Sequence, residues 1–149
     1  MGHYESIDDL LRQTELGTTG WQLVDQRRID AFAELSGDHQ WIHVDPDRAR
    51  EEGPFGGTVA HGALTLSLCT AFLTELVQVR DVTHVVNVGF DRVRFRAPVP
   101  VGSRLRGAAR LVDARRMAGG ARVRVLITAE IEGATKPACL AEQILAFYG

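Results

Sequence analysis

The chain has 149 residues, of which 45% are hydrophobic and 24% are charged, and its formal net charge is −2. This length and composition are typical of a globular protein with a substantial core, and we expect residues 1–149 to form a single domain. The slightly negative charge argues against a protein that binds nucleic acid through bulk positive charge.

The N-terminal residues lack a basic stretch followed by an apolar core, so we expect no export signal and a cytoplasmic protein. The apolar surroundings of Cys69 and Cys139 favour buried free thiols over a disulfide. Residues 53–74 carry no charge, but their many small and polar residues favour a buried helix over a membrane span.

The first third of the chain predicts short helices around one strand. We expect a helix over residues 7–14, a strand over 17–24 and a second helix over 25–36 that ends at a glycine. Residues 38–43 then predict a loop. A further short helix begins with the Asp-Pro pair at 45–46, where proline suits the first turn.

The most hydrophobic stretch, from about residue 58 to 79, is apolar on nearly all sides, which predicts a fully buried helix. Alternating apolar and polar residues then predict consecutive strands over 82–88, 90–97, 104–111, 122–131 and 138–147. A helix followed by antiparallel strands indicates an α+β fold in which the sheet wraps around the helix. Such a sheet leaves an edge and an apolar flank, so we expect a homodimer.

Asp38 and His43 are the main candidates for chemistry. A carboxylate and an imidazole can hold a water molecule between them and exchange protons with it near neutral pH. The simpler alternative is that Asp38 only stabilises its own loop after a glycine, and spacing alone favours that alternative.

A metal site is a further alternative, in which His39 and His43 bind an ion with Asp45 or His61 as a third ligand. The spacing of the first two would suit a helix, but the flanking glycine and proline argue against one. We therefore predict no metal here. His61 by itself is more typical of a capping or core residue than of a ligand-binding residue.

Gly62 lies at the predicted start of the apolar helix. The free backbone N–H groups and the positive dipole end of a helix N-terminus can stabilise a developing oxyanion, and glycine allows a carbonyl to approach. The alternative is that this glycine only permits tight packing. Alternating arginines, including Arg92 and Arg94, could bind phosphates, although such runs more often form the solvated face of a sheet.

Three motifs carry a resemblance to a known family. Residues 36–46, Ser-Gly-Asp-His-Gln-Trp-Ile-His-Val-Asp-Pro, resemble the pattern Ser-Gly-Asp-x-Asn-Pro-aliphatic-His-x-Asp of the MaoC-like, (R)-specific enoyl-CoA hydratases. Residues 58–62 and 92–99 also match, so the resemblance extends over about the whole chain. It is strongest to the short members similar to nodulation protein N, which are single hot-dog domains that form homodimers.

This resemblance implies a hot-dog fold, with one long central helix wrapped by an antiparallel sheet. It implies that Asp38 and His43 are a catalytic dyad, that the Gly62 amide binds the thioester carbonyl, and that the substrate is a trans-2-enoyl-CoA. No metal and no other cofactor is implied. The usual Asn-Pro is replaced by Gln40 and Trp41, which affects the expected substrate preference more than the chemistry.

Two other functions are kept open. One is a hot-dog acyl-CoA thioesterase, in which the carboxylate directs water at the carbonyl. The other is an acyl-CoA-binding protein without activity, although such a protein has no need of the dyad. In each case the expected partner is an acyl-CoA, with no nucleic acid and no membrane. The candidate pocket or CoA contacts are Gln40, Trp41, His61, Arg92 and Arg94.

Overall fold

The structure is a computed structural model, and it describes residues 2–149. Its helices are α1 (Ile7–Leu11), α2 (Gln26–Ser36), α3 (Trp41–Val44), α4 (Pro46–Glu52) and α5 (Gly62–Leu76). Its strands are β1 (His3–Tyr4), β2 (Glu15–Thr18), β3 (Gln22–Val24), β4 (Gln78–Val79), β5 (His84–Phe95), β6 (Ser103–Met117), β7 (Gly120–Ile131) and β8 (Cys139–Tyr148).

The main sheet is antiparallel and has six strands. Its order is β2-β6-β7-β8-β5, and β3 also pairs with β6. Strands β1 and β4 form a separate parallel pair. The long helix α5 packs mainly on β6, β7 and β8. The predicted α+β arrangement, with a sheet around one helix, is therefore confirmed, and β8 is an interior strand as predicted.

The core follows from the alternation along the strands. In β7 every second residue is buried against the helix side, namely Ala121, Val123, Val125, Ile127 and Ala129. The residues between them are partly exposed, as the two-residue period of a strand requires. From the helix, Phe72 is fully buried, and it packs closely against β6 at Gly107.

The apolar stretch 58–79 is not one fully buried helix. The helix covers only Gly62–Leu76, because the residues before it are extended and Val59 pairs with Pro100. One face of α5 is exposed, at Gly62, Ala63, Ser67, Ala71 and Thr74. The side chains at those positions are small and uncharged. The sequence pattern therefore did not distinguish this exposed face from the buried faces of the helix.

Other predicted boundaries differ in similar ways. The predicted strands 82–88 and 90–97 are one strand, β5, whose register shifts on both sides of Phe90. The predicted strand 17–24 is two short strands, β2 and β3. Helix α1 ends earlier than predicted because the chain enters β2 at Glu15. The caps of α2 and α4 are as expected, since the Asp25 and Asp45 carboxylates each accept a hydrogen bond from the first helical turn.

Both cysteines are free and buried, as the sequence predicts. A side-chain hydrogen bond with Cys139, together with burial, raises the pKa of the Cys69 thiol. Within residues 2–149, no helix is both long enough and apolar enough to cross a membrane.

The contact between Gly107 and Phe72 gives a prediction about stability. A Cβ atom at residue 107 would lie 2.5 Å from the Phe72 Cβ, so Gly107→Ala overpacks the core. We expect this variant to lower the free energy of unfolding by about 1–3 kcal/mol, measured by urea denaturation. Gly20→Ala is the matched control, because no atom lies within 4 Å of its new Cβ. Equal unfolding midpoints for the two variants would contradict the packing.

Candidate active site

His43 lies in the helical turn α3, so the predicted loop 38–43 is helical from Trp41 onward. Its backbone N–H donates to the Gln40 carbonyl over 3.0 Å, which closes the turn. Its carbonyl accepts a hydrogen bond of 2.7 Å from Nε2 of Gln26. Hydrogen bonds within its own turn and from α2 therefore hold the backbone of His43 in place.

The His43 ring is also fixed. Its Nδ1 lies 2.7 Å from the carbonyl oxygen of Val59, and the ring is almost fully buried. Because a carbonyl only accepts, Nδ1 carries the proton, and Nε2 of the neutral ring keeps a free lone pair. The Val59 N–H in turn donates to the Ile42 carbonyl over 3.1 Å. The extended segment before α5 thus sets both the tautomer and the orientation of His43.

Asp38 follows the left-handed Gly37 that ends α2. Its Oδ1 accepts a hydrogen bond of 3.3 Å from the Gln40 N–H, and its own N–H donates to Ser36 Oγ over 3.2 Å. The loop-stabilising role considered from the sequence is therefore present, but it engages only Oδ1. The residue is exposed, in contrast to the buried His43. The carboxylate thus lies at the open side of the site.

His61 joins these residues to α5. It is the N-cap residue of α5 and only 2% exposed. Its ring stacks on His43, with the centroids 4.0 Å apart and the planes at 25°. Its Nε2 donates to the Asp38 carbonyl over 3.0 Å, while its buried Nδ1 has no partner among residues 2–149. His61 therefore fixes the Asp38 segment against the start of α5.

These three side chains form one cluster. A carboxylate oxygen of Asp38 and a ring nitrogen each of His43 and His61 all lie within 4.8 Å of one another. This separation fits one water molecule bridging two of the groups, and it also fits a three-ligand metal site. Of the ligands considered from the sequence, His43 and His61 come together, whereas His39 faces Glu34 at 3.8 Å and Asp45 caps α4.

Gly62 is the first residue of α5, next to His61 in sequence. No side chain caps this helix start, so the backbone N–H groups of its first turn are available to an acceptor. A Cβ atom at this position would lie 3.2 Å from the Phe95 ring. A cleft of about 320 Å³ opens here, and it is lined by Gly62, Phe95, Arg96, Val59, Ile42 and Phe55. A side chain at this position would press against Phe95, so glycine suits an amide that must stay open to an acceptor.

The remaining predicted residues lie around this centre. Gln40 is exposed and precedes α3, and the Arg48 guanidinium lies 4.3 Å from the ring centroid of the half-buried Trp41. Arg92 and Arg94 are exposed on β5 and do not line the cleft at Gly62, whereas Arg96 does.

Gln26 and Thr58 support this site, although no role for either is predicted from the sequence. The Thr58 hydroxyl donates to Gln26 Oε1 over 2.6 Å, and Gln26 in turn holds the carbonyl of His43. These partners are 32 and 17 residues apart along the chain. Only the fold brings them together.

Comparison with known proteins adds to this geometry. A family model described as "MaoC like domain" matches residues 10–132. A protein named 3-hydroxyacyl-thioester dehydratase Z, from Mycobacterium tuberculosis, is 43% identical, and the similarity covers 99% of each chain. Nodulation protein N from Rhizobium meliloti is 45% identical over 95% of this chain and 91% of its own.

Solved structures show the same fold. An R-hydratase from Pseudomonas aeruginosa superposes with a TM-score of 0.80 at 21% identity, covering 97% of this chain and 86% of its own. An (R)-hydratase from A. caviae, involved in PHA biosynthesis, gives a TM-score of 0.74 at 21% identity over 90% and 97%. These likenesses confirm the predicted hot-dog fold.

The hydrogen bonds predict opposite tautomers for the two stacked rings. Neutral His43 carries its proton on Nδ1, because that nitrogen faces the Val59 carbonyl, and neutral His61 carries its proton on Nε2, which faces the Asp38 carbonyl. Long-range ¹H–¹⁵N NMR correlations of the imidazole rings measure this directly. Spectra of His43→Gln and His61→Gln supply the assignments. The same tautomer in both rings would contradict the geometry.

Proposed function

The chain belongs to the MaoC-like domain family, and we propose that it is an (R)-specific enoyl-CoA hydratase. It adds water across the C2–C3 double bond of a trans-2-enoyl-CoA to give an (R)-3-hydroxyacyl-CoA, and it catalyses the reverse dehydration. The full-length similarity to a 3-hydroxyacyl-thioester dehydratase supports this reaction. The observation that carries it is the cluster of Asp38 and His43 beside the open amide of Gly62.

The Gly62 amide binds the substrate carbonyl. A thioester oxygen that accepts this N–H gains negative charge as water attacks the conjugated alkene, and the positive end of the α5 dipole stabilises that charge. The absence of a Cβ matters here, because Phe95 already lies against the glycine. Arg96, which lines the same cleft, is a better candidate for a CoA contact than Arg92 or Arg94.

Asp38 and His43 hold the reacting water. The carboxylate and the free lone pair of His43 Nε2 are both acceptors, so one water can donate a hydrogen bond to each and direct its own lone pair at C3. The water oxygen bonds to C3, one water proton passes to the dyad, and the dyad delivers one proton to C2. This reaction needs neither a metal nor a redox cofactor.

His61 is a positioning residue in this scheme. It contacts the Asp38 backbone and the His43 ring, and it immediately precedes Gly62. It therefore sets the distance between the water-binding dyad and the carbonyl-binding amide. Sub-ångström placement of such groups has large effects on rate.

We also propose that the enzyme is a homodimer and that it acts in the cytoplasm. Strand β5 is an edge of the main sheet, and it exposes Val85, Val86, Val88 and Phe95. An apolar edge strand favours pairing with a second copy. The two buried free thiols are consistent with a reducing compartment.

The central test is the hydration of crotonyl-CoA, followed by the loss of the enoyl-thioester absorbance. We expect Asp38→Asn and His43→Gln each to lower kcat by at least ~10²-fold, because each removes one acceptor for the water. Asp47→Asn and His3→Gln are the matched controls, since both residues are exposed and neither belongs to the cluster. Circular dichroism checks that all four variants fold.

Two outcomes would overturn this function. Near-normal hydration by folded Asp38→Asn would remove the dyad from the reaction. Release of free CoA thiol by the wild-type protein, without hydration, would indicate a thioesterase instead.

The proposed dimer has its own test. In sedimentation velocity we expect the wild-type protein to sediment as a dimer, and Val88→Lys to shift it toward the monomer because a charge enters an apolar interface. Lys136→Ala, at an exposed position outside β5, serves as the control. A wild-type protein that stays monomeric at micromolar concentration would contradict the dimer.

A further inference from the structure

Gln143 is a buried polar residue that the mechanism does not use. It lies in the middle of β8, between Val125 of β7 and Phe90 of β5, and it is 0% exposed. Its amide oxygen and its amide nitrogen both lack a hydrogen-bond partner within residues 2–149. The neighbouring inward residues of β8, Ala141 and Leu145, are apolar. An amide left unpaired in such surroundings is unfavourable unless something binds to it.

The side chain of Gln143 lines a small cleft of about 120 Å³. Its other walls include Thr70, Leu73 and Thr74 in the C-terminal half of α5, Val77 directly after the helix, and Val85 of β5. Most of this lining is apolar, with Gln143 and two threonine hydroxyls as its polar groups. The cleft is large enough for the end of an aliphatic chain or for a few water molecules.

This cleft lies along the same face of α5 as the carbonyl-binding amide. Gly62, Leu66, Thr70 and Leu73 follow one another at steps of four, four and three residues, which places them on one stripe of the helix. Gly62 lies at one end of the stripe against Phe95, and Thr70 lies toward the other end near Val85. Phe95 and Val85 both belong to β5.

We infer that the two clefts are the ends of one groove between α5 and β5. The helix packs mainly on β6, β7 and β8, so its β5 side is the less tightly packed one and is the side on which we place the acyl chain. From Gly62 to Thr70 the helix rises about 12 Å, at 1.5 Å per residue. An extended alkyl chain, whose zigzag of bonds of about 1.5 Å advances about 1.25 Å per bond, covers that distance with roughly ten carbons.

We propose that Gln143 recognises a hydroxyl group on the distal part of the acyl chain. The substrate class is then a trans-2-enoyl thioester whose chain is hydroxylated near its far end. A hydroxyl both donates and accepts, so it can satisfy the carbonyl and the NH₂ of Gln143 together. A plain alkyl chain of the same length would displace water from the cleft and leave both groups unpaired, and sites of this kind discriminate strongly against it.

This inference rests on the proposed hydration, because it places the thioester at Gly62. The test compares two matched series of trans-2-enoyl-CoAs of increasing length, one with plain chains and one with ω-hydroxyl groups. For chains that reach Gln143, we expect kcat/KM of the wild-type enzyme to favour the hydroxylated substrate by at least about tenfold. Gln143→Met, which keeps the side-chain length and removes both polar atoms, should abolish this ratio or invert it.

The control is Gln78→Met, the same substitution at an exposed position on β4, which should leave the ratio unchanged. A wild-type enzyme that hydrates crotonyl-CoA but prefers plain chains at every length would overturn the role of Gln143. Absence of hydration for every substrate of both series would instead overturn the proposed function. The wild-type comparison decides the question even if the variant does not fold.

Discussion

The hydrogen bond between the His61 ring and the Asp38 carbonyl connects the two parts of the candidate site. One part is the segment between α2 and α4, which carries Asp38 and His43, and the other is the N-terminus of α5. The stacking of His61 on His43 adds a second contact between them. Without this junction, the carboxylate would lie on an exposed loop with no fixed relation to the helix amide.

The surrounding fold holds both parts of this junction in place. The sheet curves around α5 and buries most of its apolar side chains, which fixes the direction of the helix and the position of its first turn. The extended residues before the helix pair with the loop between β5 and β6, through Val59 and Pro100. The carbonyl of Val59 also orients the His43 ring. Core packing and site geometry therefore depend on the same short segment. Changes there should affect chemistry and stability together.

Much of this arrangement could be predicted from the sequence, for reasons that differ between residues. The caps at Asp25 and Asp45 and the alternation in β7 are local patterns, so the predicted elements matched there. The exposed face of α5 was missed, because small residues on an apolar helix do not reveal which side is uncovered. The roles of Gln26 and Gln143 could not be predicted, since their neighbours come from distant parts of the chain.

In the proposed reaction, water adds to C3 of the substrate while the thioester stays intact. The most direct measurement is turnover of crotonyl-CoA in oxygen-18 water, followed by mass spectrometry and chiral analysis of the product. We expect one labelled oxygen, at the C3 hydroxyl of (R)-3-hydroxybutyryl-CoA. Label in a free carboxylic acid, or a product of the opposite hand, would contradict it.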